Sequence, residues 1–408
     1  MAPQVVSGRA ARVGVLVHQL DGHLTGVGRY MASLTAELCR RDHGFDVFPL
    51  VVGPLGALDS DPHVRRRITT DLQVRRALAM TQRASRVAGH RASFLTIGST
   101  LASIAARRLR LDVLHDLTGI APFLLPTGPC RRLITVHDLI SYLPEGGNDL
   151  IDDALQRRWL PRAARSADGI VTVSATTSAD VQRLLHVPAD RVHVARHGVD
   201  SRYRVLSRDH FEPILGRYGI SPGYILFIGS ASPRKNLARL VAACRYIWAD
   251  GRTTQLVVAG PARSAAVPGA ADDIAAGRIA WVGYVPEGDL PALYNGAAIL
   301  AFPSSYEGFG LPALEAMSCG TPVLAGRAGA LPEVVGDAGV LADPVDVRAM
   351  ARELVGLLED PGRRSRLREL GRERARSFTW SRTADDTTEI YRQVMHTSFG
   401  EHAADQMR

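Results

Sequence analysis

The stretch that most constrains this chain is residues 301–326, AFPSSYEGFGLPALEAMSCGTPVLAG. It reads as loop, helix, turn and strand. Pro312 stands where the first helical residue falls, and there its missing N–H costs nothing. A helix is expected over residues 311–318, with Gly320 as its stop and Pro322 just beyond. Val323, Leu324 and Ala325 then resume as a strand. Gly308 and Gly310 precede the helix and leave its first amides bare and approachable. Those donors and the positive end of the helix dipole form an anion site. Glu307 lies in the loop beside that site, and Glu315 lies about one turn inside the helix. Carboxylates suit sugar hydroxyls. Glu307 therefore reads against one sugar and Glu315 against another, with a phosphate group between.

The rest of the chain is a βα series. Residues 12–20 form a mostly apolar run, the mark of a buried strand in a parallel sheet. The loop DGHLTGVGRY follows, carrying Gly28, and a helix is expected from about Tyr30 to Arg40. This is not a dinucleotide fingerprint, because Met31 stands where a third glycine belongs. Further strands are expected at residues 45–52, 111–115, 133–137, 170–174 and 192–199. Two of them end in His-Asp, at His115-Asp116 and His137-Asp138. Ligands bind at the carboxyl ends of strands in an open parallel sheet, so either histidine is placed for a sugar hydroxyl. Taken by itself, His115 reads as a structural residue.

Residues 201–221 are loop-like and polar, and interrupt the rhythm. A second series then opens with a strand at residues 224–228 and the loop GSASPRKNL, followed by strands at 255–260, 279–284 and 299–303. Of 49 basic residues 48 are arginine, and Lys235 is the one lysine. It falls beside Arg234 between strand and helix, where phosphate binds.

At 408 residues the chain fits two cores. Four scattered cysteines point to a reducing compartment and no disulfide frame. No apolar run is long enough to span a membrane, and the first residues do not read as a signal peptide. Residues 1–205 hold 27 arginines against 18 acids, a net of +9, and the remainder carries −1. Between Arg65 and Arg110 lie 11 arginines and one acid, interleaved with Leu72, Leu78, Phe94, Leu95, Ile97, Leu101 and Ile104. That mixture reads either as a solvated basic face or as a surface held to anionic lipid. Nucleic acid is not expected, because no nucleic-acid fold motif accompanies the charge. Asp59-Ser60-Asp61 is a lone DxD in a small-residue loop, and no metal role is assigned to it.

Glu307 and Glu315, with GFGLPALEAMSCGTPV between and after them, resemble the donor-site signature of the family 4 retaining glycosyltransferases of GT-B type. Thr25–Tyr30 resembles that family's first loop, notably in mannosyltransferase-like members, and Thr135–Leu139 resembles its second signature. The Arg234-Lys235 loop resembles its diphosphate loop, with Ser230 where an arginine or threonine is common. Gly283–Pro286 resembles the segment that edges the nucleotide base. The resemblance covers nearly the whole chain, most specifically residues 224–344.

The resemblance implies an α/β fold of two Rossmann-like domains with parallel sheets facing across a cleft. Residues 1–205 would be the acceptor side, 206–378 the nucleotide-sugar side, and 379–408 a last helix returning to the first domain. It implies catalytic roles for Glu307 and His137. Donor diphosphate would meet Arg234, Lys235, Gly310, Leu311 and Gly28. Ribose would meet Glu315, the transferred sugar Gly308 and Phe309, and the base Tyr284 and Val285. No metal or cofactor is expected beyond the nucleotide-sugar donor. The implied reaction is metal-independent hexosyl transfer with retention, onto a sugar or lipid-linked acceptor. The expected location is cytoplasmic, with peripheral binding to the inner face of the plasma membrane through residues 65–110. The rival readings are a soluble natural-product glycosyltransferase, a GT-B-fold sugar-nucleotide epimerase, and a binding protein without activity.

Overall fold

The computed structural model describes residues 9–18, 26–52, 58, 61–68, 71, 74–76, 79, 104–119, 127–143, 150–261 and 267–396. Within these residues the chain builds two six-stranded, wholly parallel sheets. The first contains β1 (Ala11–His18), β2 (Phe45–Val52), β3 (Val113–Asp116), β4 (Arg131–Val136), β5 (Gly169–Thr172) and β6 (Val192–Val194), in the order β2-β1-β3-β4-β5-β6. The second contains β7 (Tyr224–Ile228), β8 (Leu256–Ala259), β9 (Ile279–Gly283), β10 (Ala297–Phe302), β11 (Val323–Gly326) and β12 (Val340–Ala342), in the order β12-β11-β10-β7-β8-β9. All residues of β3 and β5 are buried, as expected of strands covered on both faces.

The helices that shape the site are α1 (Gly26–Arg40), α2 (Ala175–Leu185), α3 (Arg208–Arg217), α4 (Leu290–Gly296), α5 (Leu311–Ser318), α6 (Pro361–Ala375) and α7 (Trp380–His396). α1 starts at Gly26, earlier than the Tyr30 expected, so Gly28 sits in its first turn. The strand expected over residues 192–199 stops at Val194. The polar stretch 201–221 is not all loop, for it contains α3, which packs on α4 in the second half. Phe211 and Leu215 supply its buried face.

The chain crosses between the halves a second time near its end. Val199 pairs with Thr379, and its N–H donates to Phe378 O at 3.0 Å. α7 then packs on α1. One apolar cluster runs from Val13 and Val15 of the first sheet through Tyr30 and Phe309 to Leu226 and Leu300 of the second. The most deeply buried tyrosines all keep a partner for their hydroxyl, as burial demands. Tyr30 meets Thr135 Oγ1 at 3.1 Å, Tyr224 donates to Leu293 O at 2.7 Å, and Tyr391 meets His115 Nδ1 at 2.9 Å.

Candidate active site

In the second sheet β7 and β10 are neighbours, and the winding reverses between them. The loops leaving their carboxyl ends therefore part and open a crevice there. One loop carries Arg234 and Lys235 in a short 3-10 turn, Pro233–Lys235. The other carries Glu307. Asn236 ties them together, its Nδ2 donating to Pro303 O at 3.0 Å and to Pro344 O at 2.5 Å.

Arg234 Nη1 and Lys235 Nζ each donate to Glu307 Oε1 at 2.8 Å. Arg234 also donates to Tyr306 O at 2.7 Å, and Lys235 Nζ lies 4.6 Å above the Phe302 ring. Glu307 is buried, which by itself would raise its pKa. Lys235 and Arg234 outweigh that and hold the carboxyl below the usual range. Burial lowers the Lys235 pKa despite Glu307. Asp138 approaches from the first half, and burial pushes its carboxyl up toward the neutral form. Two cations thus share one firmly ionised acid.

The start of α5 completes this corner. Gly310 takes the left-handed conformation, φ 105°, and no side chain caps the helix. A β-carbon placed on Gly26 would lie 3.8 Å from Leu311 Cδ1, so the first residues of α1 and α5 lie close together. A helix N-terminus favours an anion beside it. Gly308 presses on the first half so closely that a β-carbon there would sit 2.0 Å from His137 O. Thr177 Oγ1 donates to Gly308 O at 3.2 Å and holds this contact.

His137 Nε2 lies 2.8 Å from Leu117 O, which assigns the proton to Nε2. Among the described residues its Nδ1 is buried with no hydrogen-bond partner, and burial pushes the ring's pKa down to about 4, although the Leu117 bond opposes this. A neutral ring with an open Nδ1 accepts from a hydroxyl. His115 is different. Its nitrogens meet Tyr391 OH and Thr135 Oγ1, both at 2.9 Å, so it is a structural residue.

Glu315 is the residue that the resemblance sets against ribose. It is buried, and both oxygens already have protein partners: Tyr294 OH on Oε2 at 2.7 Å and Arg29 Nη1 on Oε1. Arg29 also pairs with Glu287 at 3.3 Å and meets Tyr203 OH at 3.3 Å. Burial would lower the Arg29 pKa, but Glu315, Tyr203, Tyr294 and Glu287 together outweigh it and raise it, so the guanidinium stays charged. Each Glu315 oxygen still has a second lone pair. Of the base-edging pair, Tyr284 is half exposed and Val285 is buried. Phe309 is buried against His197, with ring centroids 4.8 Å apart.

Reading the sequence did not find Arg29, Tyr203, Glu287, Tyr294 or His197. Arg29 stands inside the quoted first-loop string, and His197 just before Gly198, so both were visible but not assigned. Asp61 is a helix cap, accepting from the amides of His63 and Val64 and from Arg40. Asp59 lies outside the described residues, as does most of 65–110. Of the apolar residues named there, Ile104 packs against the first-half core, and the other six lie outside the described residues. Arg65, Arg66, Arg75 and Arg76 are exposed, and Arg67 faces Asp46 at 3.7 Å.

Two parallel α/β units of this strand order, with a switch point between β7 and β10, have the GT-B architecture. The family model described as "Glycosyltransferase Family 4" matches residues 24–203, and the one described as "Glycosyl transferases group 1" matches residues 219–374. The O-antigen chain mannosyltransferase B of Escherichia coli is 34% identical over 280 residues, covering 66% of this chain and 72% of the relative. The MMP alpha-(1->4)-mannosyltransferase of Mycolicibacterium hassiacum is 29% identical, covering 94% of this chain and 98% of the relative. Among solved structures, sucrose-phosphate synthase of Thermosynechococcus elongatus superposes with a TM-score of 0.71 at 20% identity, over 95% of this chain and 100% of that one. The chain belongs to the family 4, group 1 glycosyltransferases.

Proposed function

We propose that this glycosyltransferase moves a mannosyl-type hexose from a nucleoside diphosphate sugar to a hydroxyl of a glycan or lipid-linked acceptor, with retention and without a metal ion. The observation that carries the reading is the pairing of Arg234 and Lys235 on Glu307 near the first residues of α1 and α5. Two cations and the start of α5 supply positive charge where a diphosphate must leave, which is the service a metal would otherwise give. The mannosyl assignment is supported by the relatives' activities, and the glycan acceptor by the O-antigen relative.

In the reaction, the diphosphate draws Arg234 and Lys235 toward itself. Glu307, released from part of that pairing, faces the sugar and stabilises positive charge as the C1–O bond to phosphate breaks. His137 Nδ1 accepts from a hydroxyl of the sugar. The acceptor oxygen bonds to C1 on the same face, and its proton passes to the departing phosphate oxygen. Glu315 accepts from the ribose through its remaining lone pairs.

The deciding experiment is a panel of nucleoside diphosphate sugars assayed with glycan and lipid-linked acceptors in chelator, with the product anomer read by NMR. Transfer to one acceptor class with the donor's anomeric configuration supports the reading. Inversion, or transfer that needs Mg²⁺ or Mn²⁺, overturns the corresponding part. Peripheral membrane binding through the exposed arginines among residues 65–76 belongs to the same proposal. Basic residues near an anionic leaflet are worth about 1 kcal/mol each. Absence of co-sedimentation with anionic vesicles at low salt would remove it.

A further inference from the structure

Helix α2 of the first half carries no acid in its own first turn. Its first amides are nonetheless satisfied. Ser174 Oγ accepts from the Thr177 amide at 3.0 Å, and Ser174 O accepts from the Ser178 amide at 3.0 Å. The amides of Ala175 and Thr176 turn to the other half. Ala175 N donates to Glu333 Oε2 at 2.9 Å and to Oε1 at 3.1 Å, and Thr176 N donates to Oε2 at 3.3 Å. A carboxylate of the second half thus takes the place of an acid in the helix's own first turn. It accepts from orphan amides and faces the positive end of the dipole.

Glu333 stands on the short helix Leu331–Val335, 158 residues from Ala175 in sequence. Arg196, also of the first half, adds a contact from Nε to Oε1 at 3.4 Å. From the second half, Arg374 donates to Val334 O at 2.6 Å and to Glu333 O at 2.5 Å, and so fixes the backbone that carries the carboxylate.

Beside this contact lies the loop that carries Glu307. Thr176 Oγ1 donates to Gly329 O at 3.3 Å, Thr177 Oγ1 donates to Gly308 O at 3.2 Å, and Tyr306 OH donates to Asp180 Oδ2 at 2.6 Å. Ala330 N in turn donates to Glu307 O at 2.9 Å. A β-carbon on Gly329 would lie 2.6 Å from both N and O of Glu307. The first two turns of α2 therefore grip residues 306, 308, 329 and 333, which bracket Glu307.

We propose that Glu333 is a positioning residue for the transfer: by anchoring α2, it sets where Glu307 stands relative to His137 across the seam. The inference rests on the roles given above to Glu307 and His137. Arg234 and Lys235, which meet the diphosphate, bond to Glu307 and not to Glu333. The effect of Glu333 therefore falls on turnover and not on nucleotide binding. A merely structural carboxylate would change the melting temperature and leave the turnover of the folded protein alone.

The test compares the parent with Glu333→Ala and Glu333→Gln in transfer kinetics, with diphosphate affinity measured by calorimetry and folding checked by melting temperature. A misplacement of about 1 Å costs on the order of 100-fold in rate, so Glu333→Ala should lower kcat by about 10–100-fold. Glu333→Gln keeps the side-chain volume and one acceptor oxygen, so it is expected to fold and to restore part of the loss. Diphosphate affinity should be unchanged in both. Hydrogen exchange at the amides of Ala175 and Thr176 should quicken in Glu333→Ala. An unchanged kcat in both variants overturns the proposal, and so does a kcat that falls together with diphosphate affinity. Fast exchange at these two amides in the parent overturns it as well. Glu307→Gln, assayed alongside, separates the two readings. If it leaves kcat unchanged, the role of Glu307 fails and this proposal with it. If it lowers kcat while neither Glu333 variant does, the positioning role alone fails.

Discussion

Lys235 Nζ sits 2.8 Å from Glu307 Oε1, although 72 residues separate the two in sequence. The reversal of winding between β7 and β10 brings them together, since each stands on the loop that leaves one of those strands. Arg234 reaches the same oxygen, so the carboxylate is shared. A diphosphate entering here competes with Glu307 for both cations.

Lys235→Ala should therefore weaken nucleoside diphosphate binding by roughly 1.5–3 kcal/mol, the range for hydrogen bonds to charged groups. Arg234 remains and prevents complete loss. Calorimetry with the free diphosphate is the check, and unchanged affinity would remove Lys235 from the donor site.

Glu307→Gln should act on turnover. The change keeps the shape and removes the charge that develops its value only as the sugar becomes positive. The expected drop in kcat is about 10²–10³-fold, with diphosphate affinity equal or improved, because the cations lose a competitor. A raised donor constant with unchanged kcat would contradict this assignment.

Glu315→Ala should cost both donor affinity and stability. It leaves the half-buried Arg29 guanidinium with Glu287 and the Tyr203 hydroxyl, and it removes the Tyr294 partner. Breaking one side of a buried pair costs about 3–5 kcal/mol, and the surviving Glu287 contact places this case near 3. Adding Arg29→Ala should recover part of the loss. Urea denaturation of the two single variants and the double variant measures the coupling, and strict additivity would show that the pair is not coupled.

These predictions divide along what was legible in the sequence. The strands at residues 45–52 and 224–228 and the helix at 311–318 coincide with what the apolar runs, Pro312 and the glycines dictate, because each is determined locally. The meeting of Arg234, Lys235 and Glu307 was approached through motif strings, while the shared oxygen depends on strand order. The Arg29–Glu315 pair spans 286 residues and the seam between the halves, and no local pattern encodes it. His197 was passed over because a histidine at a strand end looks alike whether its nitrogens are satisfied or open.

Gly308→Ala should open that seam. Its β-carbon would fall 2.0 Å from His137 O, a backbone atom that cannot swing aside, and 2.8 Å from Asp138 Cβ. Overpacking of this kind costs about 1–3 kcal/mol. The melting temperature should fall and donor turnover with it, and a variant as stable as the parent would show that the two loops do not pack this closely.

Stability should fall as the solution becomes acidic, and three histidines with desolvated rings contribute to the slope. Burial pushes His115 down to about 3, aided by His137, and His137 down to about 4; His197 also lies well below its ordinary value through burial and His137. Each folded pKa lies below the unfolded value of about 6.5, so between the two the unfolded chain binds the extra proton. The stabilisation from keeping these rings neutral is thus complete above about pH 6.5 and declines as pH falls toward the folded values. Each histidine contributes a slope of about 1.4 kcal/mol per pH unit inside that window, so all three together give about 4. Urea denaturation at a series of pH values between about 7 and 4.5 measures this slope. His115→Asn should reduce it by about one proton, even though the substitution also lowers stability at neutral pH by disturbing Tyr391 and Thr135. A stability that stays level down to about pH 5 would mean that these rings are not held neutral by the fold.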